Sequence, residues 1–157
     1  MKLLFICTHN ACRSILCEVV TRKLAGDRIR VASAGSNPAV RVHSLTLEYL
    51  RDHGYDTLDL GSKSLDEVES FKPDVVITVC DSAAREACPA WLGDAVKVHW
   101  GLVDPTAVAG GNADRKAVFD TVIATIESRV MALLEQPFES FADDQLASLL
   151  NTLAGSD

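Results

Sequence analysis

Lys2-Leu3-Leu4-Phe5-Ile6-Cys7-Thr8-His9-Asn10-Ala11-Cys12-Arg13-Ser14-Ile15-Leu16 opens the chain with an apolar run, a short polar loop and the start of a second apolar pattern. Leu3 to Ile6 show no polar alternation, which suits a strand buried on both faces and hence a parallel sheet. From Ser14 the period changes. Ile15, Leu16, Val19, Val20 and Leu24 recur on one helical stripe until Gly26 supplies a stop. A strand that passes into a helix through a tight polar loop is the repeating unit of a doubly wound fold, whose ligand site lies where strands end and helices begin.

The alternation continues along the chain. Ile29 to Ser33 reads as a second strand with Ala34-Gly35-Ser36-Asn37-Pro38 as its exit, and Leu45, Leu47, Tyr49 and Leu50 as a helix closed by Gly54. Leu65 to Phe71 suggests a short helix. Val75-Val76-Ile77-Thr78-Val79 is the strongest strand signal, through its density of β-branched residues. Cys80 to Gly93 reads as a loop or a marginal helix, Val96 to Trp100 as a fourth strand, and Leu102 to Asn112 as a polar loop. The longest helical stripe runs from Val118 to Leu134 and Pro137 ends it. The expected architecture is a single-domain three-layer α/β/α fold with a four-stranded parallel sheet over residues 1–136. Residues 137–157 form a tail, expected as an amphipathic helix or a disordered segment.

A chain of 157 residues with 48% hydrophobic residues suits one core. The net charge of −7 leaves no broad basic surface for a nucleic-acid backbone, so an anion site must be local. The amino-terminal apolar run is too short for a secretory signal, and no window approaches the roughly 18 apolar residues of a membrane helix. A cytoplasmic monomer is expected, with neither nucleic-acid nor membrane partners. In that reducing compartment the cysteines at 7, 12, 17, 80 and 88 point to redox chemistry or metal more than to permanent disulfides.

Cys7 and Arg13 stand six apart between strand and helix. Loop amides, the positive helix start and a planar guanidinium together make an oxyanion cradle, expected from Thr8, His9, Asn10, Ala11, Cys12, Arg13 and Ser14. The same field favours the Cys7 thiolate as nucleophile toward phosphorus or arsenic. Ser14 is placed to donate to that sulfur, and Asn10 to brace the loop by bonding to backbone. The plainer alternative, a buried cysteine and a solvent-facing arginine, loses ground because the pair falls at the first strand-to-helix turn.

Cys80 and Cys88 bound a second constellation. Eight residues of helix would separate them by about 12 Å, beyond the roughly 7 Å that a disulfide tolerates, so bridging them requires the segment to refold. Two buried thiols or a zinc pair with His99 are the alternatives; no C-x2-C pair supports zinc. Cys12 and Cys17 read as structural.

C-x5-R-S after the first strand, Ser33-Ala34-Gly35, and Asp104-Pro105 in the last long loop resemble the low-molecular-weight tyrosine phosphatase superfamily over about residues 1 to 135. The run Cys80…Cys88-Pro89 followed by His99-Trp100-Gly101 is similar to the thioredoxin-coupled arsenate reductases of that superfamily. The resemblance implies Cys7 as nucleophile, Arg13 as oxyanion ligand and Asp104 as general acid. It further implies reduction of arsenate to arsenite through a Cys7–Cys80–Cys88 relay, with no bound metal or cofactor and thioredoxin, or glutathione with glutaredoxin, as external reductant. The alternative is a phosphatase that cleaves phosphate monoesters with Cys7, Arg13 and Asp104 alone. Seven residues separate Cys80 from Cys88 where those reductases usually keep six, and His9 stands where the family often has glycine. In some relatives the positions of Asn10, Glu18 and Ser33 surround potassium, with an acidic partner near residue 64, which here is Ser64.

Overall fold

The computed structural model describes residues 1–86 and 89–155. Strand β1 (Lys2–Cys7) passes through the polar loop into helix α1 (Arg13–Ala25), whose Ile15, Leu16, Val19 and Val20 are buried. Gly26, at φ 54°, ends α1 with a left-handed residue that a side chain would strain. Strand β2 (Arg30–Gly35) leads to α2 (Ser44–Asp52), and a 3-10 turn at Asp66–Phe71 precedes β3 (Val75–Thr78). After β3 come α3 (Asp81–Arg85), β4 (Val96–His99) and the long α4 (Asn112–Leu134).

All strand pairs are parallel and the order is β2-β1-β3-β4. Chain direction across the sheet reverses after β2, so right-handed crossovers send α1 to one face and the later connections, with α3, to the other. α4 returns to pack on α1. The result is the expected three-layer arrangement around a four-stranded parallel sheet, with Leu4, Phe5 and Ile77 of the central strands wholly buried.

The segment between Cys80 and Gly93 is not one helix. α3 has five residues, Glu86 is already extended (φ −78°, ψ 148°), and a 3-10 turn follows at Ala90–Leu92. Cys88 lies outside the described residues. Toward the carboxyl end, α5 (Asp143–Ala154) buries Leu146, Leu150 and Leu153 against β4 and α4. Its Leu150 carbonyl accepts the indole N–H of buried Trp100 at 2.9 Å, and Arg129 stacks over the same ring.

Candidate active site

The loop from Cys7 to Arg13 is shaped by its carbonyls. Thr8 O accepts from Asn37 N (2.8 Å), His9 O from Ala39 N (2.9 Å), and Ala11 O from both His43 N (3.0 Å) and the Thr46 hydroxyl (3.0 Å). Each carbonyl is thus drawn outward onto the segment that follows β2. Because N–H and C=O of a peptide point in opposite directions, the loop amides are turned toward the Cys7 sulfur, and Asn10 N donates to it at 3.2 Å. Asn10 itself sits at φ 47° to make the turn. The close approach needs Gly35: a Cβ there would lie 2.5 Å from Thr8 O and 3.0 Å from Asn10 N.

Beneath the loop lies a polar core that periodicity alone does not reveal. Lys63 N donates to Asn10 Oδ1 (2.8 Å), which leaves the Asn10 amide protons for Ser14 Oγ (2.8 Å) and Ser33 Oγ (2.9 Å). Ser14 Oγ lies 2.8 Å from Cys7 Sγ, and toward a Cys7 thiolate, which can only accept, its hydroxyl is the donor. Ser33 passes its proton to the buried Glu18 carboxylate at 2.9 Å. The Asn10 side chain therefore takes the expected backbone partner in Lys63 N and, beyond it, bridges two serines. Glu18 is balanced by Arg22 at 3.3 Å and by Lys63 Nζ at 3.6 Å. At the position of the acidic partner, Ser64 N instead donates to Glu67 at 2.6 Å.

A cavity of about 410 Å³ opens over the sulfur. It brings together Cys7, Thr8, His9, Ala11, Cys12, Arg13, Cys80 and Asp104, while Asn10 and Ser14 lie buried under its floor. Arg13 comes from the first turn of α1 and donates to Leu102 O at 3.3 Å, with Nη2 3.8 Å from Asp104 Oδ2. The other Asp104 oxygen accepts from Thr106 N (3.0 Å) and the Thr106 hydroxyl (2.7 Å), so one carboxylate is both an Asx turn before Pro105 and a wall of the cavity. Cys80 follows β3 and is 4% exposed; Thr8 Oγ1 lies 3.6 Å from its sulfur, and Ala83 N donates to that sulfur at 3.4 Å.

His9 is exposed at the rim, its Nδ1 3.4 Å from Asn37 O. Burial pushes the Cys12 thiol up to about 12 and that of fully buried Cys17 well above its ordinary value, which leaves both as inert thiols. Sequence reasoning passed over His43, which lines the cavity and accepts from Leu45 N at 3.1 Å as the cap of α2. Histidine is not a favoured capping residue, so no local signal marked it.

The family model described as low molecular weight phosphotyrosine protein phosphatase matches residues 2–145. The chain belongs to this family. Within the low molecular weight phosphatase family its relatives include an arsenate reductase of Halalkalibacterium halodurans, 34% identical over 131 residues, which covers 83% of this chain and 93% of that one. A solved arsenate reductase in the phosphate binding state superposes with TM-score 0.70 at 27% identity, covering 85% of this chain and 96% of that chain. The thioredoxin-dependent arsenate reductase of Corynebacterium glutamicum superposes with TM-score 0.63 at 30% identity, over 85% of this chain and 60% of that chain.

Proposed function

We propose that this chain is an arsenate reductase that carries electrons through Cys7, Cys80 and Cys88 in turn. The observation that carries the reading is the second thiol: Cys80 lines the same cavity as Cys7, and ester hydrolysis on this scaffold has no use for it. The named reductases among the relatives support it.

Arsenate enters the loop, where the amides and the Arg13 fork take its charge. Cys7 thiolate attacks arsenic and an oxygen leaves with a proton from Asp104, which forms a thiol–arsenate adduct. Cys80 thiolate then attacks the Cys7 sulfur. The S–S bond forms, the S–As electron pair stays on arsenic, and arsenic(V) departs as arsenite. Cys88 attacks Cys80 and frees the Cys7 thiolate, and an external dithiol protein reduces the Cys80–Cys88 bond. Thioredoxin is the reductant in this reading, because the Corynebacterium relative is described as dependent on it; glutathione with glutaredoxin is the other donor to be tested. The cycle belongs to a reducing cytosol, and among the described residues no helix is long and apolar enough to cross a membrane. Cys7, Arg13 and Asp104 alone leave a weak phosphatase activity.

The test is steady-state turnover of arsenate with NADPH, thioredoxin reductase and thioredoxin, repeated with glutathione and glutaredoxin. Arsenite formation at many turnovers per chain is expected. No turnover with either donor beside brisk hydrolysis of an aryl phosphate would make the protein a phosphatase. Cys88→Ser is expected to release one arsenite per chain and stop as a Cys7–Cys80 disulfide, visible by peptide mapping. Sustained turnover by Cys88→Ser would remove Cys88 from the relay.

A further inference from the structure

The relay asks Cys80 to hold two positions, and the structure shows what keeps it in the first. Its sulfur is buried against Thr8 Oγ1 and serves as the acceptor that starts α3, taking the Ala83 N–H at 3.4 Å. A sulfur bonded to Cys88 and offered to an outside thiol has to leave that place, which undoes the first turn of α3. Five residues of helix have little stability of their own.

That first turn is held from outside. Asp81, the first residue of α3, lies with Oδ1 3.2 Å from His99 Nε2 at the end of β4. The other ring nitrogen, Nδ1, is 2.8 Å from Thr78 Oγ1, and Thr78 and His99 are paired residues of β3 and β4. A carboxylate only accepts, so Nε2 must carry a proton; in the neutral ring Nδ1 is then an acceptor for the Thr78 hydroxyl. The two rigid strand ends thereby fix the direction of the imidazole before it reaches α3. None of the relay steps uses His99, Thr78 or Asp81.

We propose that His99 is a positioning residue for the redox segment: anchored by Thr78, it clasps Asp81, holds α3 in its reduced fold, and makes the Cys80–Cys88 disulfide less stable than its cysteines alone would set it. The inference rests on the thiol relay proposed above. A clasp present in the dithiol state and released in the disulfide state raises the reduction potential of the pair, which eases the final reduction by an outside dithiol. The carboxylate is 80% and the imidazole 38% exposed, so the effect is that of a solvent-screened pair. Its loss is expected to shift the dithiol–disulfide equilibrium about threefold toward the disulfide, about 14 mV for a two-electron couple.

The test uses the full chain carrying Cys7→Ser, so that Cys88 is the relay partner left to Cys80. The chain is equilibrated with mixtures of reduced and oxidised dithiothreitol, trapped with N-ethylmaleimide, and the Cys80–Cys88 peptide is quantified. His99→Asn and Asp81→Ala are each expected to raise the ratio of Cys80–Cys88 disulfide to dithiol about threefold at a fixed dithiothreitol ratio, and the double variant by the same factor, since both remove one interaction. Equilibria unmoved by both single variants overturn the clasp. So does a double variant whose effect is the product of the singles, which would mean two independent losses of helix stability. If the Cys7→Ser chain forms no Cys80–Cys88 disulfide at any ratio, the relay itself falls. If the disulfide forms but ignores position 99, the relay stands and the clasp alone is wrong.

Discussion

Gly35→Ala is the perturbation that most directly loads the anion loop, because the change is one methyl group and its surroundings are backbone. The added Cβ would sit 2.5 Å from Thr8 O, where ordinary contact begins at 3.4 Å, so the loop and β2 must part by about 0.9 Å. Neither side yields freely. Gly35 N is tied to Lys63 O (2.8 Å), Gly35 is paired in register with Cys7, and Thr8 O is held by Asn37 N (2.8 Å). Overpacking of this kind costs about 1–3 kcal/mol of stability. A shift close to 1 Å in groups that position the reactants costs on the order of 10²-fold in rate. Urea unfolding measures the first quantity and single-turnover arsenite release the second, with inorganic phosphate titrated by calorimetry as a check on the cradle itself. Gly61→Ala is the control, since a Cβ there meets nothing within 4 Å, and it is expected to behave as the parent. A Gly35→Ala chain with parental stability and parental rate would refute the assignment of this contact as what shapes the loop.

Arg13→Lys is expected to lower single-turnover arsenate reduction by about 10²- to 10³-fold, because an ammonium has no planar fork for an oxyanion; a loss under fivefold would assign the cradle to the amides alone. Arg28 donates to Glu139 at 2.8 Å and holds that carboxyl down to about 2, mainly through this hydrogen bond, so the contact adds stability above the ordinary glutamate range and loses it as pH falls toward 2. The melting temperature of Glu139→Gln is therefore expected below that of the parent at pH 7 and level with it near pH 2, and an equal gap at both would refute the linkage. With its thiol raised to about 12 by burial, Cys12 is expected to resist iodoacetamide at pH 8.5 until urea is added, and alkylation at the rate of an exposed thiol would contradict that.

What the chain disclosed before folding was local. The β-branched run Val75–Val79 and the unbroken apolar run Leu3–Ile6 marked the two central strands, since a strand covered on both faces has no polar positions. The stripe from Ile15 to Val20 marked α1, the six-residue step from Cys7 to Arg13 and the place of Cys80 after the third strand marked three site residues, and Asp104 was named through the family resemblance. Long-range partners were hidden. Nothing near Lys63 says that its amide fixes Asn10 or that its ammonium lies beside Glu18, 45 positions earlier in the chain. The spacing of Leu146, Leu150 and Leu153 foretells an apolar helix face, yet not that the Leu150 carbonyl takes the Trp100 indole. The split of Cys80–Gly93 into α3, an extended Glu86 and a separate turn had no periodic signature, because segments of one turn are decided by what they touch.

The strand order has a consequence for how chemistry of this kind can arise. β1 and β3 are direct neighbours, Ile6 is the register partner of Thr78, and Val79 N donates to Ile6 O at 3.0 Å, so Cys7 falls beside Val79 and Cys80 one residue further on. Adjacent strands run about 4.8 Å apart and one residue adds a rise of about 3.3 Å, so the offset pair stands about 6 Å apart, inside the roughly 4.4–6.8 Å of Cα separation at which two cysteines bridge. The lattice of the sheet thus supplies a vacancy of the right size for a second sulfur before any sulfur is there. On this sheet a thiol at the position after Val79 comes to the neighbourhood of the Cys7 thiol through strand order alone, with no added loop.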